Sequence, residues 1–424
     1  MVKQHIAISS LVIALALSGQ AYAGTLQDAV ETAYLNNPQL DAQRQQAAIA
    51  DEQLEQARSQ RRPTVNLAGS VGYESVDSNR PFSAASGSIG DRATSNAQLE
   101  AVLPIYTGGR IKAGIRQAKA GIGAADAQLE SVGQDLILDV VTAYVDVLRD
   151  RETIKIRQNS VDLLSEQVRA SQDRFDVGEV TRTDVAQSEA RLEGSKASLA
   201  GAEATLQGSL AVYAFLVGAE AVDLVPVPPA PALPETIEEA MQIALDQNPA
   251  IIALRFNERA ASEAVTVAAG ALKPTVSLVG TASVQETYDN NFQDTSISAL
   301  ARATVPLYQG GLTRSQVRSA KLQRQQVRYQ IDNAVRQVRA QVARAWYSTI
   351  ASNRAIEASA RQVEAAEIAY EGAQAELSVG VRTTLDVLDQ EQQLLEARLN
   401  LIQAERNAYV AAHQLLRAMG DLRV

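Results

Sequence analysis

The sequence predicts a mainly α-helical chain with a small transmembrane β part, built as two tandem repeats. Three observations lead there. The 424 residues have an interior rich in Ala, Gln, Glu and Arg and only 4% aromatics, the composition of long helices. An internal duplication runs through the chain: Asn37-Pro38 recurs as Asn248-Pro249, and Arg62-Pro63-Thr64-Val65 as Lys273-Pro274-Thr275-Val276, both offset by 211. Each copy also holds two segments of about ten residues in which apolar and polar side chains alternate, the length a tilted strand needs to cross a bilayer.

Residues 1–23 read as a secretory signal peptide. Lys3 precedes an apolar run from Ile6 to Leu17, and Ala21-Tyr22-Ala23 supplies a small-x-small cleavage site before Gly24. The apolar run is too short for a spanning helix, which needs about 20 residues. Removal of Lys3 leaves 38 basic residues against 49 acidic, a net charge of −11, which argues against a nucleic-acid partner. The chain has no Cys, which suits an oxidising export compartment without disulfides and leaves no thiol at the cleavage site for a lipid anchor.

The first repeat is expected over 24–224. A helical pattern runs from Leu26 to about Arg61; after Pro63 it turns to alternation, with Val65, Leu67, Gly69, Val71 and Tyr73 on one side and Asn66, Ala68, Ser70 and Glu74 on the other. The strands fall at about 64–75 and 95–107, joined by a polar loop. A Pro-rich joint, VPVPPAPALP over 225–234, reads as an extended linker. The second repeat, 235–424, places its strands at about 275–285 and 296–308. LPIYTGGR from Leu103 returns there as VPLYQGGL from Val305.

Alternation alone also fits a pair of soluble hairpins. The export signal favours a membrane, as do the tyrosines near the segment ends, Tyr73, Tyr106, Tyr288 and Tyr308, which suit membrane interfaces. Four strands cannot close a barrel, and an open edge cannot face lipid because its backbone groups would stay unpaired. The strands must therefore be pooled from several copies, two giving eight and three giving twelve, both even numbers as bacterial barrels require.

After Gly108-Gly109 and Gly310-Gly311 the patterns are helical, without proline, as far as Val177 and Val379. At about 1.5 Å per residue each stretch predicts a rod of about 100 Å. Two apolar stripes run along part of it, Leu136, Val140, Ala143, Val147 and Leu138, Val141, Val145, Leu148, so the helix has a neighbour on each flank. Each rod ends in a related stretch, VGEVTRTDV and VGVRTTLDV. Gly178 and Gly380 supply a left-handed backbone to end one helix, and Thr181-x-x-Asp184 and Thr383-x-x-Asp386 have the spacing of capping boxes that start the next.

Taken together, the paired repeats, the NNP near the start, the PxY-x-GG after each strand pair and the VGxxTxxD turns resemble the TolC family of outer-membrane efflux proteins over the whole mature chain. The resemblance implies a homotrimer, with a twelve-stranded barrel in the outer membrane continued by an α-helical barrel across the periplasm. It implies a channel that exports small molecules or proteins, or both. The implied partners are a periplasmic adaptor and an inner-membrane transporter or ABC exporter. It also implies roles at the tip. Asp386 and Asp389 match an acidic constriction, which threefold symmetry would turn into two stacked rings of carboxylates able to bind cations. Arg382 matches a latch residue whose expected partners are Thr183 and Asp184; the tyrosine that completes the latch in relatives falls at Leu377. Val177, Gly178, Val379 and Gly380 are expected to contact the adaptor.

Two other readings are weighed. A periplasmic coiled-coil adaptor without a pore would need one helical hairpin and a flanking strand domain, not a tandem copy. Enzymes fare worse: only His413 remains after the signal, no thiol exists, and the Gly-Gly pairs lack the lysine and spacing of a phosphate loop. No cofactor and no structural metal are expected.

Overall fold

The Asn-Pro pairs divide the first helical stretch of each repeat in two. In a computed structural model, which describes residues 24–75, 91–288 and 292–423, α1 (Leu26–Asn36) starts from a capping box between Thr25 and Asp28, and α2 spans Pro38–Ser59. In the second repeat α5 (Ile237–Gln247) precedes α6 (Pro249–Gly270). Asn37 Oδ1 accepts from Gln39 N at 2.9 Å, and Asn248 Oδ1 from Ala250 N at 3.0 Å. Each asparagine thus satisfies an N–H that the first helical turn leaves open, while proline occupies a position that needs no donor. The expected signal peptide, 1–23, lies outside the described residues.

Four strands follow the alternating segments: β1 (Thr64–Ser75), β2 (Asp91–Tyr106), β3 (Thr275–Thr287) and β4 (Phe292–Thr304). They form one antiparallel sheet in the order β1-β2-β3-β4, so the central β2–β3 ladder joins the two repeats. Alternation places the last strand at about 296–308, but the ladder stops at Thr304, ahead of Pro306, which has no N–H to donate. The long patterns become α3 (Arg110–Asp176) and α7 (Leu312–Ser378), 67 residues each. Each is followed by a helix of 36 residues, α4 (Arg182–Val217) and α8 (Thr384–Met419).

The chain divides into two compact units, each drawing on both repeats. Among the described residues, one holds 24–41, Gly133–Ala240 and the chain from Gln341 onward; the other holds those within Ala42–Val132 and Met241–Ala340. The first unit has its core where α1, α3, α4 and α8 meet, with Ala29, Val140, Tyr144, Tyr213 and Leu415 fully buried. Tyr144 and Tyr213 lie 6.3 Å apart, and the Tyr144 hydroxyl faces the carbonyls of Val225 at 2.6 Å and Gly24 at 3.0 Å. That tyrosine ties the start of the inter-repeat linker to the residues ahead of α1. Burial pushes the Tyr213 hydroxyl up to about 12. His413 is buried on α8, with Nδ1 2.8 Å from the Tyr409 carbonyl and burial lowering its basicity. It is a packed helix residue. In the second unit, which holds the sheet, Arg116 of α3 clasps Glu263 of α6 at 2.7 Å, and Arg324 of α7 meets Glu258 of α6 at 2.7 Å.

Candidate functional site

Two places can carry function: the sheet and the paired turns that end the long helices. In the sheet, register decides chemistry, because directly opposed residues of antiparallel strands project from the same face. Leu67 faces Leu99, which faces Ala282, which faces Ile297; the row two residues on reads Gly69, Ala97, Val284 and Thr295. The intervening rows carry the other face: Asn66, Glu100, Thr281 and Ser298, then Ala68, Gln98, Ser283 and Ser296. Through the middle of the sheet one side is thus apolar and the other polar; towards the ends the row Thr64, Val102, Val279 and Leu300 is mostly apolar on the polar side, and the row Val71, Ser95, Glu286 and Gln293 is mostly polar on the apolar side. The Thr281 and Ser298 hydroxyls meet at 2.7 Å on the polar side, whereas Leu67 and Ile297 stand 76% and 83% exposed on the apolar side. The outer edges of β1 and β4 have no partner strand among the described residues.

The turns obey local rules. Gly178 (φ +80°) donates its N–H to the Phe175 carbonyl at 2.9 Å while Glu179 donates to Arg174 at 2.8 Å. The second turn repeats this with Gly380 (φ +79°) to Leu377 at 3.0 Å and Val381 to Glu376 at 3.0 Å. This double bond pattern closes a helix C-terminus and requires a left-handed residue at the glycine. Capping boxes at Thr181–Asp184 and Thr383–Asp386 then start α4 and α8. Val177 and Val379 are left 72% and 73% exposed at the turns, with Gly178 and Gly380 beside them.

Asp184, Asp386, Asp389 and Arg382 already have partners within the chain. The Thr181 backbone and hydroxyl hold the Asp184 carboxyl below the usual range. The Thr383 hydroxyl and backbone do the same for Asp386, helped by the Arg382 charge. Asp389, which has no capping role, accepts from Arg191 Nη2 at 2.7 Å, linking α8 to α4. Arg382 donates to Glu376 at 2.5 Å and not to Thr183 or Asp184. The turn folds it back over the last turn of its own α7. Thr183 is exposed on the first turn of α4.

Sequence reasoning missed Glu391. Its carboxyl is buried, accepts from Ser160 Oγ at 2.6 Å, and joins α8 to α3. Desolvation pushes it above the usual carboxylate range. A signal was present: Val387, Glu391, Leu394 and Leu395 have the spacing of one buried stripe, and glutamate interrupts it. Arg191 as the counter-charge of Asp389 had no such signal.

A family model described as Outer membrane efflux protein matches residues 29–219 and 240–421. The Outer membrane efflux protein BepC of Brucella suis biovar 1 is 32% identical over 423 residues, spanning 99% of this chain and 91% of that protein. The Outer membrane protein TolC of Escherichia coli is 26% identical over 438 residues, spanning 97% and 86%. Among solved structures, CusC, studied for the changes that accompany folding and transmembrane channel formation, superposes with a TM-score of 0.82 at 19% identity. The match spans 93% of this chain and 92% of that one.

Proposed function

The chain belongs to the outer membrane efflux protein family, the TolC-type channels of the outer membrane, and on that premise we propose that three copies pool their strands into one twelve-stranded barrel that exports small molecules. The observation that carries this reading is the two-faced sheet with two open edges. An apolar face wants lipid, yet lipid tolerates no unpaired backbone, so each edge must meet the edge of another copy. The polar rows around Glu100 and Gln98 then line a water-filled lumen. No covalent chemistry is required of the chain.

The relative named an efflux protein, which spans almost the whole chain, supports small molecules as the cargo. An inner-membrane transporter or ABC exporter and a periplasmic adaptor feed the conduit, and the adaptor docks at Val177, Gly178, Val379 and Gly380. The tip is the gate. In the closed trimer Arg382 exchanges Glu376 for Thr183 and Asp184 across the tip, while Asp386 and Asp389 ring the constriction.

The protein purified from membranes should migrate as a trimer that dissociates on heating and should conduct in planar bilayers. Arg382→Ser should raise the closed-state conductance, and an unchanged value would remove the latch. A water-soluble monomer that never enters bilayers would overturn the channel itself. Deletion of the gene should raise drug sensitivity. A defect confined to the secreted proteins would reassign the substrate class.

A further inference from the structure

We propose that the cations gathered where the strands meet the helices form a collar that binds the phosphate headgroups of anionic phospholipids at the periplasmic face of the membrane. This rests on the barrel reading. The chain as a whole is acidic, with 39 basic residues against 49 acidic, so a run of one sign needs a reason. At all four junctions the balance reverses. Arg58, Arg61 and Arg62 precede β1, and no acidic residue occurs from 56 to 73. After β2 come Arg110, Lys112, Arg116 and Lys119, with none from 101 to 125. Lys273 precedes β3 in an acid-free stretch from 264 to 285, and β4 leads to Arg314, Arg318 and Lys321 in one from 295 to 331. All lie in the unit that contains the sheet.

Solvation and pairing argue for an outside partner. Lys112, Lys119, Lys273, Arg314, Arg318 and Lys321 are exposed and form no ion pair among the described residues. The cations begin where the strands end, and Tyr106 at the end of β2 and Tyr308 just past β4 adjoin them in the chain, 47% and 90% exposed. Amphipathic rings beside basic side chains mark the depth of headgroups. At the far ends of the strands the sign changes again, with exposed Glu286 and Asp294. Beside Arg110 a groove of about 630 Å³ pairs apolar Pro104, Ile111 and Val267 with Gln60 and Thr107. A cation over an apolar floor fits the phosphate and glycerol end of a lipid.

The test compares the trimer in nanodiscs and mixed micelles of phosphatidylglycerol and of phosphatidylcholine, counting retained lipid by native mass spectrometry. The wild-type protein should favour phosphatidylglycerol by about tenfold or more, with each headgroup-level cation contributing about fivefold, and salt should weaken the preference. The quadruple variant Arg110→Gln, Lys112→Gln, Arg314→Gln, Arg318→Gln should lose it, while lysine at the three arginine positions should keep it and control for folding. A conducting trimer with no lipid preference overturns the collar and leaves the channel standing. Failure to insert in either lipid overturns the channel reading. If the quadruple variant keeps its lipid preference but shifts the reversal potential toward cations, the basic residues line the conduit and the collar is wrong.

Discussion

Ser160 and Glu391 are 231 residues apart in the chain, yet they share a 2.6 Å hydrogen bond out of reach of water. Burial raises the Glu391 carboxyl, with the Ser160 bond and the Arg191 charge opposing. A carboxyl raised in the fold holds a proton that the unfolded chain has released. Its contribution is therefore fully present below the ordinary value of 4.5 and lost as pH rises through the folded value. Glu391→Gln should accordingly raise the apparent melting temperature at pH 7, and the two proteins should converge near pH 4.5 when followed by circular dichroism across pH. A neighbouring charge invites a second measurement. Arg191 engages Asp389 at 2.7 Å with both side chains about half exposed, so the pair is worth at most ~1 kcal/mol. Arg191→Ala should tighten block by a trivalent cation by up to about fivefold, the equivalent of that pair, and adding Asp389→Ala should reverse the gain. Neither partner was legible in the sequence. Thr181-x-x-Asp184 could be read because a capping box is complete within four residues, whereas Arg191–Asp389 and Ser160–Glu391 exist only after distant helices pack.

At the scale of elements, the junction between β2 and α3 is more constrained than its copy between β4 and α7. Gly108 and Gly310 both hold positive φ, +66° and +58°. A Cβ on Gly108 would lie 2.4 Å from the Gly270 carbonyl oxygen, whereas one on Gly310 would meet nothing within 4 Å. Gly310→Ala should cost about 1–2 kcal/mol from backbone strain alone. Gly108→Ala should cost clearly more and lower the yield of folded protein, measurable as trimer recovered per cell and by thermal melting. The strands themselves were legible because a period of two survives every loop, and so were the long helices, which run without proline. The shift of β4 to Phe292–Thr304 was not, since the ladder ends at Thr304, opposite Thr275 where β3 itself begins, rather than where alternation stops. The helix breaks at Asn37-Pro38 and Asn248-Pro249 also escape the periodicity, which runs from Leu26 to about Arg61 as one helix where the structure has α1 and α2.

For the whole molecule, the proposed barrel makes adjacent positions on one strand face membrane and lumen in turn. Ile297 and Ser298 are consecutive on β4 but belong to opposite faces. Ile297→Lys would put a charge into lipid at a cost of about 2–4 kcal/mol near the midplane, and the heat-dissociable trimer should disappear from membrane fractions. Ser298→Lys should assemble normally and shift the ion selectivity of the pore. Equal effects at both positions would contradict the assignment of faces. The same sheet bears on inheritance. In the proposed trimer its rims, bare in a solitary copy, are satisfied only by siblings, so a strand that fails to pair would leave two healthy siblings unable to close. A damaged allele should then act dominantly when expressed beside an intact one, silencing more conduits than its own share of the transcripts.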